Sequence, residues 1–410
     1  MARRRKLGRK IKHTKSLYRR KTSARKKILS LIIFIIIVLG IAFLGYSIAP
    51  TVIDFFRDMD KNDSSESSDV WTPPDISSVI DDSSMTEDSS VTDSQTDEPD
   101  KTKPKSAVSM ELNADALANA DTLKSAVSRA KSQGYTEVVV ELKSQGGVLN
   151  YNSTNATAIK ANAVKGILSA SEIVKIIKEA GLNPVAKMSV LQDYLSPHAD
   201  INIGYLFANG VGQWLDNKPS NGGKPWMSPF SKTAESYTNE LVTEISKAGF
   251  TRIIATDLVF PNFYETDLDY IGESVKNKNR YKSLISFAHS MKTTAEANSC
   301  TLIVQIPLNE SLNNNLEIYK PKELNVVGVS FIIDLKTMPT SVTASDGTVT
   351  DISDMAMYDK MKNILMATSS QLASKNISPK IVVTGASQND IAEAIRAFKE
   401  NGYAYYIIKE

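Results

Sequence analysis

The stretch Gly249–Pro261, GFTRIIATDLVFP, decides the reading of this chain. A helical pattern from Tyr237 to Lys247 runs into Gly249. The apolar run Ile253-Ile254-Ala255 follows, ends in Asp257, and Phe260-Pro261 then leave the strand. Helix, glycine stop, buried strand and terminal carboxylate form one repeat of a parallel α/β fold. In a parallel barrel the C-terminal strand ends carry the chemistry, which makes Asp257 the first candidate site residue. Its plainer alternative is an Asp that hydrogen-bonds its own loop or caps the next helix.

Outward from that stretch the same alternation repeats. Strands are expected at Ala107–Leu112, Glu137–Leu142, Pro184–Val190, Arg252–Asp257, Thr301–Ile306, Val326–Ile333, Lys380–Thr384 and Tyr403–Ile408. Amphipathic helices separate most of them, at Ala114–Gln133, Ser171–Ala180, Thr233–Lys247, Tyr281–Ala297, Met355–Lys375 and Asn389–Lys399. About eight strands is the number that closes a (β/α)8 TIM barrel, so residues 106–410 are read as one such α/β domain. An open doubly wound sheet fits less well, because Asn113-Ala-Asp-Ala after the first strand lacks a phosphate-binding glycine loop.

The 410 residues carry a formal charge of +2, but the balance is a cancellation between segments. Residues 1–27 form a basic tail, and no acid precedes Asp54. Residues 28–49 are almost continuously apolar and of the ~20-residue length that spans a bilayer. Charge on the N-terminal side alone predicts a cytoplasmic tail and an extracellular C-terminal domain, a single-pass cell-membrane protein. A cleaved signal peptide is the alternative, disfavoured by Pro50 and by the length of the run. Beside a span, the basic tail is a topology signal rather than a nucleic-acid patch, so no nucleic-acid partner is expected. Residues 50–105, rich in Asp, Ser and Thr, lack the apolar surface to offset ordering and read as a disordered linker. Trp71 stands alone within it. The single cysteine, Cys300, excludes an intrachain disulfide and reads as a small buried hydrophobe. His13, His198 and His289 are scattered and no CxxC exists, so no metal site is expected.

Strand ends supply the other candidates. Val139, Glu141 and Lys143 share a face of the second strand, and Lys187 and Ser189 share one of the third. The sixth strand ends in Asp334. Asp257 with Glu141 or Asp334 is the material for paired-carboxylate hydrolysis of a glycosidic bond, with Lys143 and Lys187 tuning their ionisation. The competing reading is a salt-bridged rim joining Glu141 to Lys143 or Lys187. The long loop after the third strand holds Tyr194, Tyr205, Phe207, Trp214, Asp216, Trp226 and Phe230. Aromatic faces beside Asp suit a sugar cleft, with Trp214, Asp216, Trp226 and Phe260 as binding candidates. Equally, such a loop needs a small core of its own.

Three motifs carry a family resemblance over Ser106 to about Asp334. They are VVVELKSQGGVLNY (Val138–Tyr151), Trp214-Leu-Asp216 with Trp226-Met-Ser-Pro-Phe-Ser231, and Gly249-Phe250 with Asp257-Leu-Val-Phe-Pro261. The domain resembles a bacterial family of glycosyl hydrolases with an amylase-like TIM barrel, whose activity is itself inferred from fold. The resemblance implies a glycoside hydrolase acting on polysaccharide or cell-wall glycan, needing no cofactor, and the apolar run at 28–49 adds the expectation of a membrane anchor. The chain departs from the family pattern at Ser144 and Gln145, where acids are expected, and at Ser228, where an acid is expected. It also lacks the arginine before Phe260 and has Glu141 in place of Asp. These losses favour a second expectation, a degenerate barrel that binds glycan or an envelope protein without cutting. A third is a purely structural spacer.

Overall fold

The computed structural model describes residues 107–271, 275, 280–306, 308, 328–372, 376–403 and 405–409. The tail, span and linker expected at 1–27, 28–49 and 50–105, with Trp71, lie outside the described residues. Among the described residues no helix is long and apolar enough to cross a membrane.

The strands are β1 (Ala107–Glu111), β2 (Glu137–Lys143), β3 (Asn183–Ser189), β4 (Arg252–Thr256), β5 (Thr301–Ile306), β6 (Gly328–Asp334), β7 (Ser341–Thr343), β8 (Val349–Asp351), β9 (Asn376–Val382) and β10 (Tyr405–Lys409). Eight of them close a parallel barrel in the order β1-β10-β9-β6-β5-β4-β3-β2. Closure is direct: Ala107 pairs with Tyr405, and the register holds to Glu111 opposite Lys409. The expected closed, eight-stranded parallel α/β barrel is therefore present, and it fits the TIM-barrel class. The antiparallel pair β7–β8, inserted after β6, is a feature the sequence reading did not contain.

Side chains alternate across each strand, and the inward set stacks in layers. At the N-terminal end, Ser109 Oγ donates to Glu137 Oε2 at 2.7 Å, and Arg252 Nη1 ion-pairs with the same oxygen at 2.8 Å. The Arg252 guanidinium also lies over the Tyr405 ring, 4.8 Å from its centre. Above this polar floor sits an apolar layer of Val139, Val185, Ile254, Ile303 and Ile407. Burying five such side chains is worth roughly 1.5–3 kcal/mol each, which makes this layer the packed heart of the barrel. Cys300 is buried, as expected of a small hydrophobe.

Helix starts are set by local caps. Asn119 accepts from the backbone of Asp121 and Thr122 in a capping box, so the first helix begins at Ala120 behind a short 3-10 turn, Ala114–Leu117. Ser169, not Ser171, caps the helix Ala170–Glu179, with Glu172 returning the box. Ser231 caps the long helix Lys232–Lys247 that feeds β4. The strand expected at Lys380 starts four residues earlier, at Asn376, so Lys380 lies inside β9 rather than at its entrance.

Candidate functional site

The C-terminal end of the barrel is a layer of charge. Glu111 of β1 is 5% exposed. Its Oε1 lies 3.1 Å from Lys187 Nζ and 3.7 Å from Lys409 Nζ, and its Oε2 contacts Lys380 Nζ. Lys187 reaches a second carboxylate, Glu141 Oε1, at 2.8 Å. Five strands, β1, β2, β3, β9 and β10, thus send one charged group each into the same layer. Burial alone would raise the Glu111 carboxyl, but the ammonium groups of Lys380 and Lys187 outweigh it and hold the group below its ordinary value. Burial pulls the Lys187 ammonium down, and Glu111 with Glu141 more than restores it, so it sits above the usual lysine value. For Lys380 the balance goes the other way. Burial lowers it, Glu111 opposes, and Lys187 and Lys409 add repulsion, leaving it below the ordinary value.

Asp257 stands just past the end of β4. Its backbone is left-handed, φ 55°, in the region where Asp is better tolerated than bulky residues. Both carboxylate oxygens are held: Oδ1 accepts from Gln145 Nε2 at 2.9 Å, and Oδ2 from Thr256 Oγ1 at 2.9 Å. Its carbonyl accepts from Leu191 N at 3.2 Å, which ties the end of β4 to the loop after β3. The Asp side chain is partly exposed.

The β2 loop that holds this carboxylate through Gln145 also carries an aromatic pair. Gly146, next to Gln145, exchanges backbone hydrogen bonds with Gln192 and Tyr194, and the Tyr194 ring lies against it. Tyr194 meets Trp226 edge-on at 5.7 Å and carries Lys224 Nζ over its face at 4.7 Å. Asp216 accepts from Trp226 Nε1 at 2.9 Å and from Lys224 N at 2.7 Å. Asp216 therefore orients Trp226 and pins the turn between them, leaving its carboxylate already engaged. Gly147 explains the second glycine of the motif: a Cβ there would sit 2.2 Å from Asp193 Oδ1, and its φ is 100°.

Four sequence candidates, Lys143, Trp214, Phe260 and Asp334, are engaged otherwise than expected. The register of β2 slips between Glu141 and Lys143, so Lys143 pairs with Met188 while Glu141 pairs with Lys187. That bulge turns Lys143 off the shared face. Its side chain is buried, 2.9 Å from Asp193 Oδ2 and donating to Ser189 O at 2.8 Å. Asp193 Oδ1 in turn accepts from Leu195 N and Ser196 N, each at 2.9 Å, so this buried pair anchors the long loop. Trp214 is 2% exposed and packs on Tyr205 and Phe263. Phe260 is buried against Phe230 and Phe263. Both belong to the loop's own aromatic core, and neither presents a face for sugar stacking. Asp334 accepts from Lys336 N at 2.8 Å and caps the turn after β6. Glu141 and Lys187 do share the mouth, in the salt-bridged rim that was the alternative reading.

Sequence reasoning missed Glu111, Lys380 and Lys409. The signal for Glu111 was its two-residue spacing from Ser109. Pro379 hid Lys380, because a proline reads as a strand boundary. Two exposed tyrosines on the segment after β4, Tyr264 and Tyr270, also went unremarked.

A closed parallel barrel with charge and partly exposed aromatics at its C-terminal end defines a class, that of the parallel α/β barrel proteins. Residues 109–307 match the family model described as "Putative glycosyl hydrolase domain", which bears out the resemblance read from the motifs. Among solved structures, the glycoside hydrolase domain of PgaB (BpsB) from Bordetella bronchiseptica matches with a TM-score of 0.53 at 12% identity, covering 74% of this chain and 94% of that one. The glycoside hydrolase domain of PelA from Pseudomonas aeruginosa gives 0.39 at 14% identity, over 75% of this chain and 95% of that one. A hypothetical protein from Ruminiclostridium thermocellum gives 0.40 at 18% identity, over 48% and 96%. At 12% identity the likeness to the PgaB domain is one of fold. No curated protein matches the sequence.

Two outcomes follow from this geometry. Glu111 has a folded-state value below the unfolded 4.5, so its stabilising contribution is complete above that pH and is lost as pH falls through the lowered value. Urea unfolding of wild type and Glu111→Gln from about pH 6 to about pH 3 should show the stability gap shrinking in the acid half. A gap independent of pH would remove the carboxylate as its source. Trp214→Ala should cost ~3–5 kcal/mol in the same measurement, as for a core tryptophan. Unchanged stability would take Trp214 out of the core.

Proposed function

We propose that this protein is a membrane-anchored, extracellular glycan-directed barrel of glycoside-hydrolase type, acting on polysaccharide or cell-wall glycan. The observation that carries the reading is Asp257, held past the end of β4 with a left-handed backbone by Gln145 and Thr256. Asp257 is the carboxylate that meets the glycosidic centre, and Glu141 on Lys187 is the second. Trp226, partly exposed and oriented by Asp216, supplies the stacking surface that Trp214 and Phe260 do not, and Tyr194 ties it to the β2 loop at Gly146. In such chemistry one carboxyl protonates the leaving oxygen, and the other attacks carbon or activates water. The match of residues 109–307 to the model of a glycosyl hydrolase domain and the fold likeness support a glycan as the ligand. The apolar run at 28–49, with all flanking positive charge before it, supports the anchor and its orientation.

One observation favours a second reading, in which the barrel binds glycan without cutting it. The side chain nearest Asp257 from the β2 loop is the amide of Gln145, at a position where the family pattern has an acid. An amide cannot donate a catalytic proton or attack as a carboxylate does.

Reducing ends released from wall glycans and from α- and β-glucans should separate these readings. Release by wild type that disappears in Asp257→Asn establishes hydrolysis at β4. Retention of a glycan without release, with release appearing in Gln145→Glu, establishes the binding barrel. A wild-type rate untouched by Asp257→Asn would sink the assignment of Asp257. For topology, protease added to intact cells should remove the barrel domain from the cell surface. A domain protected until lysis would overturn the extracellular orientation.

A further inference from the structure

We infer that the barrel mouth selects glycans bearing a singly charged anionic group, with Lys409 as the residue that receives it. The inference rests on the glycan-directed reading above and adds the chemical class of the ligand. The charged layer holds three ammonium groups, Lys187, Lys380 and Lys409, against two carboxylates, Glu111 and Glu141. Two of the three are matched at short range. Lys187 bridges both carboxylates at 3.1 and 2.8 Å, and Lys380 holds Glu111 Oε2. Lys409 is the remainder. Its carboxylate neighbour among the described residues is Glu111 Oε1, 3.7 Å away, an oxygen that Lys187 already occupies more closely.

Exposure sorts the three in the same way. The Lys380 side chain is 3% exposed, Lys187 14% and Lys409 38%. The charge left over is thus the one a ligand can reach. The proton affinity of Lys380 is lowered first by burial, and repulsion from Lys187 and Lys409 adds to it against the attraction of Glu111. Two further carboxylates stand at the rim. Asp257 is turned to Gln145 and Thr256, and Asp334 to the backbone of Lys336, so neither pairs with Lys409. A uronate carboxylate and a phosphodiester each carry the one negative charge that would complete the layer, and both accept hydrogen bonds from an ammonium.

The test is binding of the full chain in detergent to three oligomers of equal length: a neutral galactan, an oligogalacturonate and a glycosylated polyol phosphate. Wild type should bind at least one acidic oligomer about fivefold more tightly than the neutral one, the effect of one partly exposed ion pair. Lys409→Gln should abolish that preference and Lys409→Arg should keep it, with unfolding midpoints confirming that both variants fold. Which acidic oligomer is preferred tells the uronate from the phosphodiester. Equal binding of neutral and acidic oligomers overturns the inference and leaves the glycan-directed reading intact. A preference that survives Lys409→Gln overturns the role of Lys409. No binding and no cleavage of any glycan overturns both.

Discussion

Glu111 is a carboxylate nearly removed from water, and the mouth of the barrel is arranged around keeping it charged. An isolated ion at such a site costs several kcal/mol, so it persists only when partners surround it. Here those partners come from far along the chain: Lys187 from β3, Lys380 from β9 and Lys409 from β10. The apolar layer beneath them supplies the burial energy. The charged layer supplies directionality, because it is satisfied only when β1 sits between β2 and β10 in the observed register. A purely hydrophobic interior would tolerate a shifted register more easily than this one.

The same layer links fold to chemistry. Lys187 touches both the structural carboxylate Glu111 and the mouth carboxylate Glu141, so a change in charge at one is felt at the other. Asp257 is handled differently. It is placed by backbone conformation and by neutral donors on each oxygen, with no described ammonium against it. The two carboxylates at this barrel end thus have different surroundings, an ammonium on Glu141 and neutral donors on Asp257.

Periodicity carried the fold a long way, because each strand and helix of a barrel repeats one pattern and ends on one signal. It carried the site only partly. Spacing of two residues put Glu141 and Lys143 on one face, and a bulge, invisible to periodicity, separated them. Composition marked the loop after β3 as aromatic, yet could not tell Trp214 in the loop's core from Trp226 beside Tyr194. That distinction depends on tertiary packing, as does the use of Asp216 to hold the Trp226 indole. The position of Asp257 at a strand end was legible because its strand was bounded on both sides, by Gly249 and by Pro261. Lys380 was not, because Pro379 interrupts the pattern that would have exposed it. The hairpin β7–β8 has strands of three residues, too short for alternation to register.

The pairing of β1 with β10 has a consequence for how the molecule comes into being. Their partnered residues, Ala107 and Tyr405, are separated by most of the domain's sequence. A chain synthesised from its N-terminus therefore carries an incomplete sheet, with both edges unpaired, until its last strand has been made. Until then Glu111 lacks Lys409, and β1 has a neighbour on one side only. Closure of so long a loop is slow relative to local pairing. The fold is thus completed in one late event, and for most of its synthesis the chain remains an unclosed sheet.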